Sequence, residues 1–184
     1  IDQSGNKTAQ GAINVAGTLT VQSGATFDLA ATTATITGSS DINGAITAST
    51  GICDANGAFD ATGGSITFTG AGTLRIAGSV TSLGTLGTSA GTVEYDGTDQ
   101  TIFSDTYYNL LLSGSGTPAA GGDITCNGTF TLQSSTTKYN LSSYTHQTIG
   151  VSDINEEMEI STGTYDADGD FDATGGEIDF TGNG

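Results

Sequence analysis

Apolar residues in this chain fall at alternate positions in short runs, such as Ile66 and Phe68, Leu74 and Ile76, and Val93 and Tyr95. A period of two marks a strand with one buried face. No stretch holds the i, i+3, i+4 spacing of a helix, so none is expected. Glycine punctuates the runs at 38, 44, 51, 57, 64, 70, 78, 84, 91 and 97. Strands this short, separated by single small residues rather than hairpin loops, suit a coil of three strands per turn with glycine at the corners. Three units make a rung of roughly 20 residues, within the range of solenoid repeats. Rungs stack about 4.8 Å apart, so roughly nine of them would make a rod of some 45 Å. The expected fold is therefore all-β, a parallel β-helix (β-solenoid) of short strands. The alternative is a β-sandwich array, which the short glycine rhythm disfavours. The segment 97–114, GTDQTIFSDTYYNLLLSG, breaks the rhythm. It reads as a longer rung or a protruding loop, followed by a strand at Asn109–Leu112.

A long repeat overlies this rhythm. FDATGG occurs at 59–64 and again at 171–176, a separation of 112 positions. SSDIN at 39–43 aligns with VSDIN at 151–155, and ITFTGAG at 66–72 with IDFTGNG at 178–184. Roughly six in ten positions across this window are identical, which marks a tandem repeat. Earlier, at a shift of 111, GAINVAGTLTVQS at 11–23 matches GDITCNGTFTLQS at 122–134. The expected organisation is a first repeat over 1–119 and a second over 120–184, in one continuous solenoid. Phe59 and Phe171, and likewise Ile66 and Ile178, should hold equivalent inward positions. The first residues, IDQSGN, align with LSGSGT at 112–117, and FTGNG stops where the first copy runs on into TLRIAGSV. Both ends thus read as mid-repeat, with no charged plug or cap. The expectation is a piece of a longer array whose end rungs need a partner, either more of the same polypeptide or another copy stacked end to end as a filament.

Composition narrows the function. Glycine is about twice its usual share and charged residues about half theirs, without a collagen-like period. The net charge is −17, and Lys7, Arg75 and Lys138 are the cations. Nucleic acid is excluded as a partner, because phosphate binding needs clustered Lys and Arg. No apolar run approaches the ~20 residues of a membrane span. Small polar residues with few cations fit an extracellular or cell-surface protein, and the negative field would attract divalent cations.

The segment GTVEYDGTDQTIFSDTYYNLLLSGSGT at 91–117, followed by GGDITCNGTFTLQSS, resembles a repeat family of very large bacterial secreted proteins. Those repeats run GTVxYxGxxQTI, then YYNLxLSGSGT, then GxxxVxGxLTLxSG. The family is associated with surface adhesins, filaments and autotransporter-like passengers built as parallel β-helices. The resemblance implies a structural subunit or segment of an extracellular filament, sheath or surface layer. The alternative is an adhesin stalk that binds glycans or host surfaces. It carries no catalytic motif, and this chain is more acidic than the pattern after residue 150.

Chemistry-bearing residues are few. In DADGDFD at 166–172, Asp166, Asp168, Asp170 and Asp172 alternate beside Gly169, a pattern that could converge on calcium. The competing reading is a solvated acidic face, and the first copy has DANGAFD with one acid fewer. It is not an EF-hand, since the distal glutamate and the spacing are missing. Glu156, Glu157, Glu159, Glu177 and Asp179 add to the acidic character. Cys53 and Cys126 are isolated and read as two buried small hydrophobes, with a disulfide as the alternative. His146 in SSYTHQT has no nucleophile motif around it and reads as a surface histidine. Thr18–Thr20, Thr33–Thr35–Thr37 and Thr67–Thr69 put hydroxyls on one strand face, which suits an exposed β surface or ordered water. Sequons begin at Asn6, Asn127 and Asn140. No acidic pair sits in a groove of aromatics and bases as glycoside hydrolysis requires, so no enzymatic activity is expected.

Overall fold

A computed structural model describes residues 1–2, 4–133 and 138–182. The repeat matches at Ser134, Asn183 and Gly184 lie outside these. The chain is all-β, and its strands pair in parallel as a β-solenoid. Two compact units, 1–93 and 94–184, divide it inside the strand Thr92–Tyr95 rather than at the 119/120 boundary of the sequence repeat.

In the first unit successive strands visit three faces in turn. One face carries Gly5–Thr8, Ala25–Asp28, Ala45–Ala48, Ser65–Phe68 and Thr85–Leu86. A second carries Ile13–Val15, Thr33–Ile36, Ile52–Ala55 and Thr73–Ile76, and the third Leu19–Val21, Ser40–Ile42, Phe59–Asp60 and Val80–Ser82. Among the described residues each strand pairs with the strand one rung on rather than with its chain neighbour as in a hairpin, as when Ser65 lies beside Ala45 and Thr85. Alternation then builds the core, since like positions stack. Phe27, Ile46, Ile66 and Leu86 form one inward column. Ala34, Cys53 and Leu74 form another, and Leu19, Ser40, Phe59 and Val80 a third.

The second unit repeats this plan. Its rungs vary in length, Thr101 pairing with Ala119 eighteen positions on and Ile124 with His146 twenty-two on. The segment 97–114 is a rung, not a protruding loop. It supplies the strands Thr101–Ile102, Thr106–Tyr107 and Asn109–Leu112. Tyr107 is buried, its hydroxyl 3.2 Å from that of Tyr95, and the Phe103 amide donates to Tyr95 Oη at 3.2 Å, while Tyr108 is exposed.

The two copies are equivalent in register. Ser40 pairs with Phe59 as Ser152 pairs with Phe171, and Ile46 with Ile66 as Met158 with Ile178, each an offset of 112. The identical FDATGG segments are a corner device. Phe59 points inward, and Asp60 Oδ1 accepts from the Thr62 amide at 2.9 Å and the Thr62 hydroxyl at 2.6 Å. Gly63 turns the chain at φ 78°, and a Cβ on Gly64 would lie 2.1 Å from the Ile42 carbonyl oxygen of the rung below. Asp172 accepts from the Thr174 amide in the same way.

Gly64→Ala should therefore cost about 3 kcal/mol or more, because overpacking against backbone has no side chain to displace. Gly17→Ala faces open space at an ordinary φ and should change stability by less than about 1 kcal/mol. Denaturant titration of the two variants checks the contrast.

Candidate functional site

The four aspartates of the expected calcium site are all exposed and are not brought together. Asp166 lies in the strand Thr164–Ala167 and Asp172 in Phe171–Asp172, on different sheets. The Asp168 carboxylate is taken by Gln147 Nε2 at 2.9 Å, and Asp172 by the Thr174 hydrogen bonds that hold its carboxyl below the usual range. Gly169 is a corner glycine stacked on Gly150, the counterpart of Gly57 on Gly38, and not a metal-loop glycine. Among the described residues no group of three His, Cys, Asp or Glu side chains is placed to hold a metal ion.

The cysteines are free thiols buried in separate units. Burial pushes Cys53 up to about 12 and Cys126 up to about 11, so neither is the thiolate that metal binding or redox chemistry uses.

His146, expected at the surface, is fully buried. The repeat accounts for this: THQT at 145–148 occupies the place of TATI at 33–36, and Ala34 is an inward position. Its ring lies 4.3 Å from that of Phe130 and 5.3 Å from that of Tyr165. Nδ1 sits 3.2 Å from the Tyr139 hydroxyl, while Nε2 has no partner. Tyr165 Oη donates to Ser152 Oγ at 2.7 Å and lies 3.1 Å from the Thr148 hydroxyl. The equivalent positions in the first copy are Leu19, Phe27, Ala34, Ile36 and Cys53. The second copy thus has a more polar and aromatic core of Phe130, Tyr139, His146, Thr148 and Tyr165 on the same scaffold. Ser40 keeps the place of Ser152, but its hydroxyl is unpartnered because Cys53 stands where Tyr165 would reach it.

The outer face of the second unit is acidic. Lys138, Glu157 and Glu177 share one column, and Asn140, Glu159 and Asp179 the next. Lys138 Nζ lies 3.1 Å from Glu157 and 2.8 Å from Glu159, which relieves the repulsion of stacked acids. The hydrogen bond from Lys138 is the main reason the Glu159 carboxyl is held below its usual range.

The apolar surface is concentrated elsewhere. Phe171 is 47% exposed and Phe180 73%, while their counterparts Phe59 and Phe68 are 0% and 6% exposed. With Tyr165, Ala167 and Ile178 they line a trough of about 490 Å³. Covering each phenylalanine would contribute about 1.5–3 kcal/mol. No protein-family model, curated protein or solved structure matches the chain. The candidate site accordingly rests on geometry. Repeat alignment marks it in the sequence, because both phenylalanines inherit inward positions. No helix among the described residues is long and apolar enough to cross a membrane.

Burial lowers His146 to about 3, against about 6.5 in an unfolded chain. Between those values the unfolded chain binds a proton that the folded one refuses. The stability is therefore whole above pH 6.5 and lost as pH falls toward 3. From pH 7 to 5 the slope should approach about 1.4 kcal/mol per unit below pH 6, and His146→Ala should flatten it. Thermal melts of both proteins across that range measure the difference.

Proposed function

We propose that this chain is a non-enzymatic structural segment of an extracellular filament, sheath or surface layer. The observation that carries the reading is the stacking of like positions into inward columns, in the same register in both copies. The rest of the chain supports it. The most strongly repeated residues, FDATGG, serve corners and stacking rather than chemistry. The inward columns can be lengthened indefinitely without a new kind of contact, which is the property of a solenoid. The net charge of −17 keeps the outer faces from sticking to one another, so growth is confined to the axis. The resemblance of 91–117 to repeats of large secreted bacterial proteins fits the same role.

Immunogold labelling with antibodies raised against this chain tests the role. Cells of the organism that makes it should carry gold along extracellular filaments or a surface layer. Label confined to the cell interior would overturn the proposal, and label lost on washing with free glycan would favour an adhesin stalk instead.

A further inference from the structure

We propose that Asn56–Gly57 is a site of spontaneous deamidation, a modification that turns this corner of the first copy into that of the second. The described residues hold three Asn-Gly pairs, Asn43–Gly44, Asn56–Gly57 and Asn127–Gly128. Glycine hinders attack by its own amide least, because it lacks a side chain and has the widest backbone freedom. In the reaction the glycine nitrogen bonds to the asparagine Cγ. The side-chain nitrogen leaves as ammonia, taking the glycine amide proton. Water then opens the succinimide ring, its hydroxyl going to one carbonyl carbon and its proton returning to the glycine nitrogen. Opening at Cγ gives aspartate, and opening at the main-chain carbonyl gives isoaspartate. The fold leaves one of the three nucleophiles unheld. The Gly44 amide donates to the Val21 carbonyl at 2.9 Å, and Asn43 Nδ2 donates to Asp41 Oδ1 at 2.7 Å. The Gly128 amide donates to the Tyr108 carbonyl at 2.7 Å, and Asn127 is half-buried. Those bonds must open before either nitrogen can attack. Among the described residues the Gly57 amide is held by no carbonyl, and the Asn56 side chain is exposed and without a hydrogen bond.

The repeat shows which product the fold accepts. Asn56 in DANGAFD is the counterpart of Asp168 in DADGDFD, an offset of 112. The Asn56 amide donates to the Ile36 carbonyl and the Asp168 amide to the Thr148 carbonyl, both at 2.8 Å. Gly57 stacks on Gly38 as Gly169 stacks on Gly150. Aspartate at 56 therefore fits this corner without rearrangement and adds one negative charge to the outer surface. Isoaspartate does not, because its side-chain methylene enters the main chain and lengthens it by one atom before Gly57. A Cβ on Gly57 would collide with the Gly38 carbonyl, and one on Gly78 with the Gly57 carbonyl, so the column of corners has no slack for the extra atom. The isoaspartyl product thus loosens the stack Gly38–Gly57–Gly78, while the aspartyl product leaves it intact. This chemistry does not depend on the filament role.

The test ages the whole folded chain in mildly alkaline buffer and follows the three Asn-Gly pairs by peptide mapping with mass spectrometry. Asn56 should undergo the amide-to-acid mass change about fivefold faster than Asn43 or Asn127, the factor that one backbone hydrogen bond supplies. In denaturant the three rates should converge. Equal rates in the folded chain, or a lead by Asn43 or Asn127, overturn the site. Persistence of the folded ranking in denaturant also overturns it, because neighbouring sequence rather than the corner then sets the rate. Asn56→Asp should melt with the parent protein. The isoaspartyl form, separated chromatographically and identified by methylation with an isoaspartyl methyltransferase, should melt lower. An Asn56→Asp variant that melts well below the parent, or an isoaspartyl form that melts with it, overturns the conversion of one corner into the other.

Discussion

Backbone stacking at the corners is the constraint on which the rest depends. Parallel rungs lie about 4.8 Å apart, and where the chain turns there is no pleat to hold a Cβ clear of the rung below. A Cβ on Gly57 would fall 2.3 Å from the Gly38 carbonyl oxygen, and one on Gly78 would fall 2.1 Å from that of Gly57. Gly150 on Gly128 and Gly169 on Gly150 repeat the arrangement. With the corners pinned, each strand has one register, and alternate residues stack into columns. Asp28, Asp60, Asn140 and Asp172 complete the turns by accepting the amide two residues on, which spares those N–H groups from going unpaired.

That constraint explains how much of the fold was legible in the sequence. Period-two runs such as Ile66–Phe68 give the strands, and the glycine rhythm gives the corners, so the parallel solenoid follows without any long-range information. The same local rule misleads where the chain bends. DADGDFD alternates on paper, yet Asp166 and Asp172 flank a corner and face different sheets, so the aspartates spread rather than converge. His146 departs from the surface pattern for another reason. A histidine among Ser, Thr and Gln suggests a surface, and only its alignment with Ala34 reveals an inward position. Lys7 is similar, since its place in the Phe27 column shows only in the strand register.

The two copies show that the scaffold tolerates different interiors. The first fills its columns with Phe27, Ile46, Ile66 and Leu74, while the second places Tyr139, Met158, His146 and Tyr165 in equivalent or adjacent sites. A buried hydrogen-bonded network is costly wherever it is incomplete. His146 Nε2 and Ser40 Oγ are left unpartnered in the two cores, one in each copy. Burial rather than chemistry dominates both interiors, and it leaves the thiols and the imidazole neutral.

The register itself is the claim to test most directly. Thr47 and Thr67 point outward in adjacent rungs and are paired, twenty residues apart in the chain. Spin labels attached to cysteines at these two positions should lie about one rung spacing from each other at the backbone, ~5 Å. The account predicts strong dipolar broadening of the doubly labelled protein relative to each singly labelled one. A doubly labelled spectrum equal to the sum of the single-label spectra, with separations beyond ~20 Å, would contradict the stacked-rung fold.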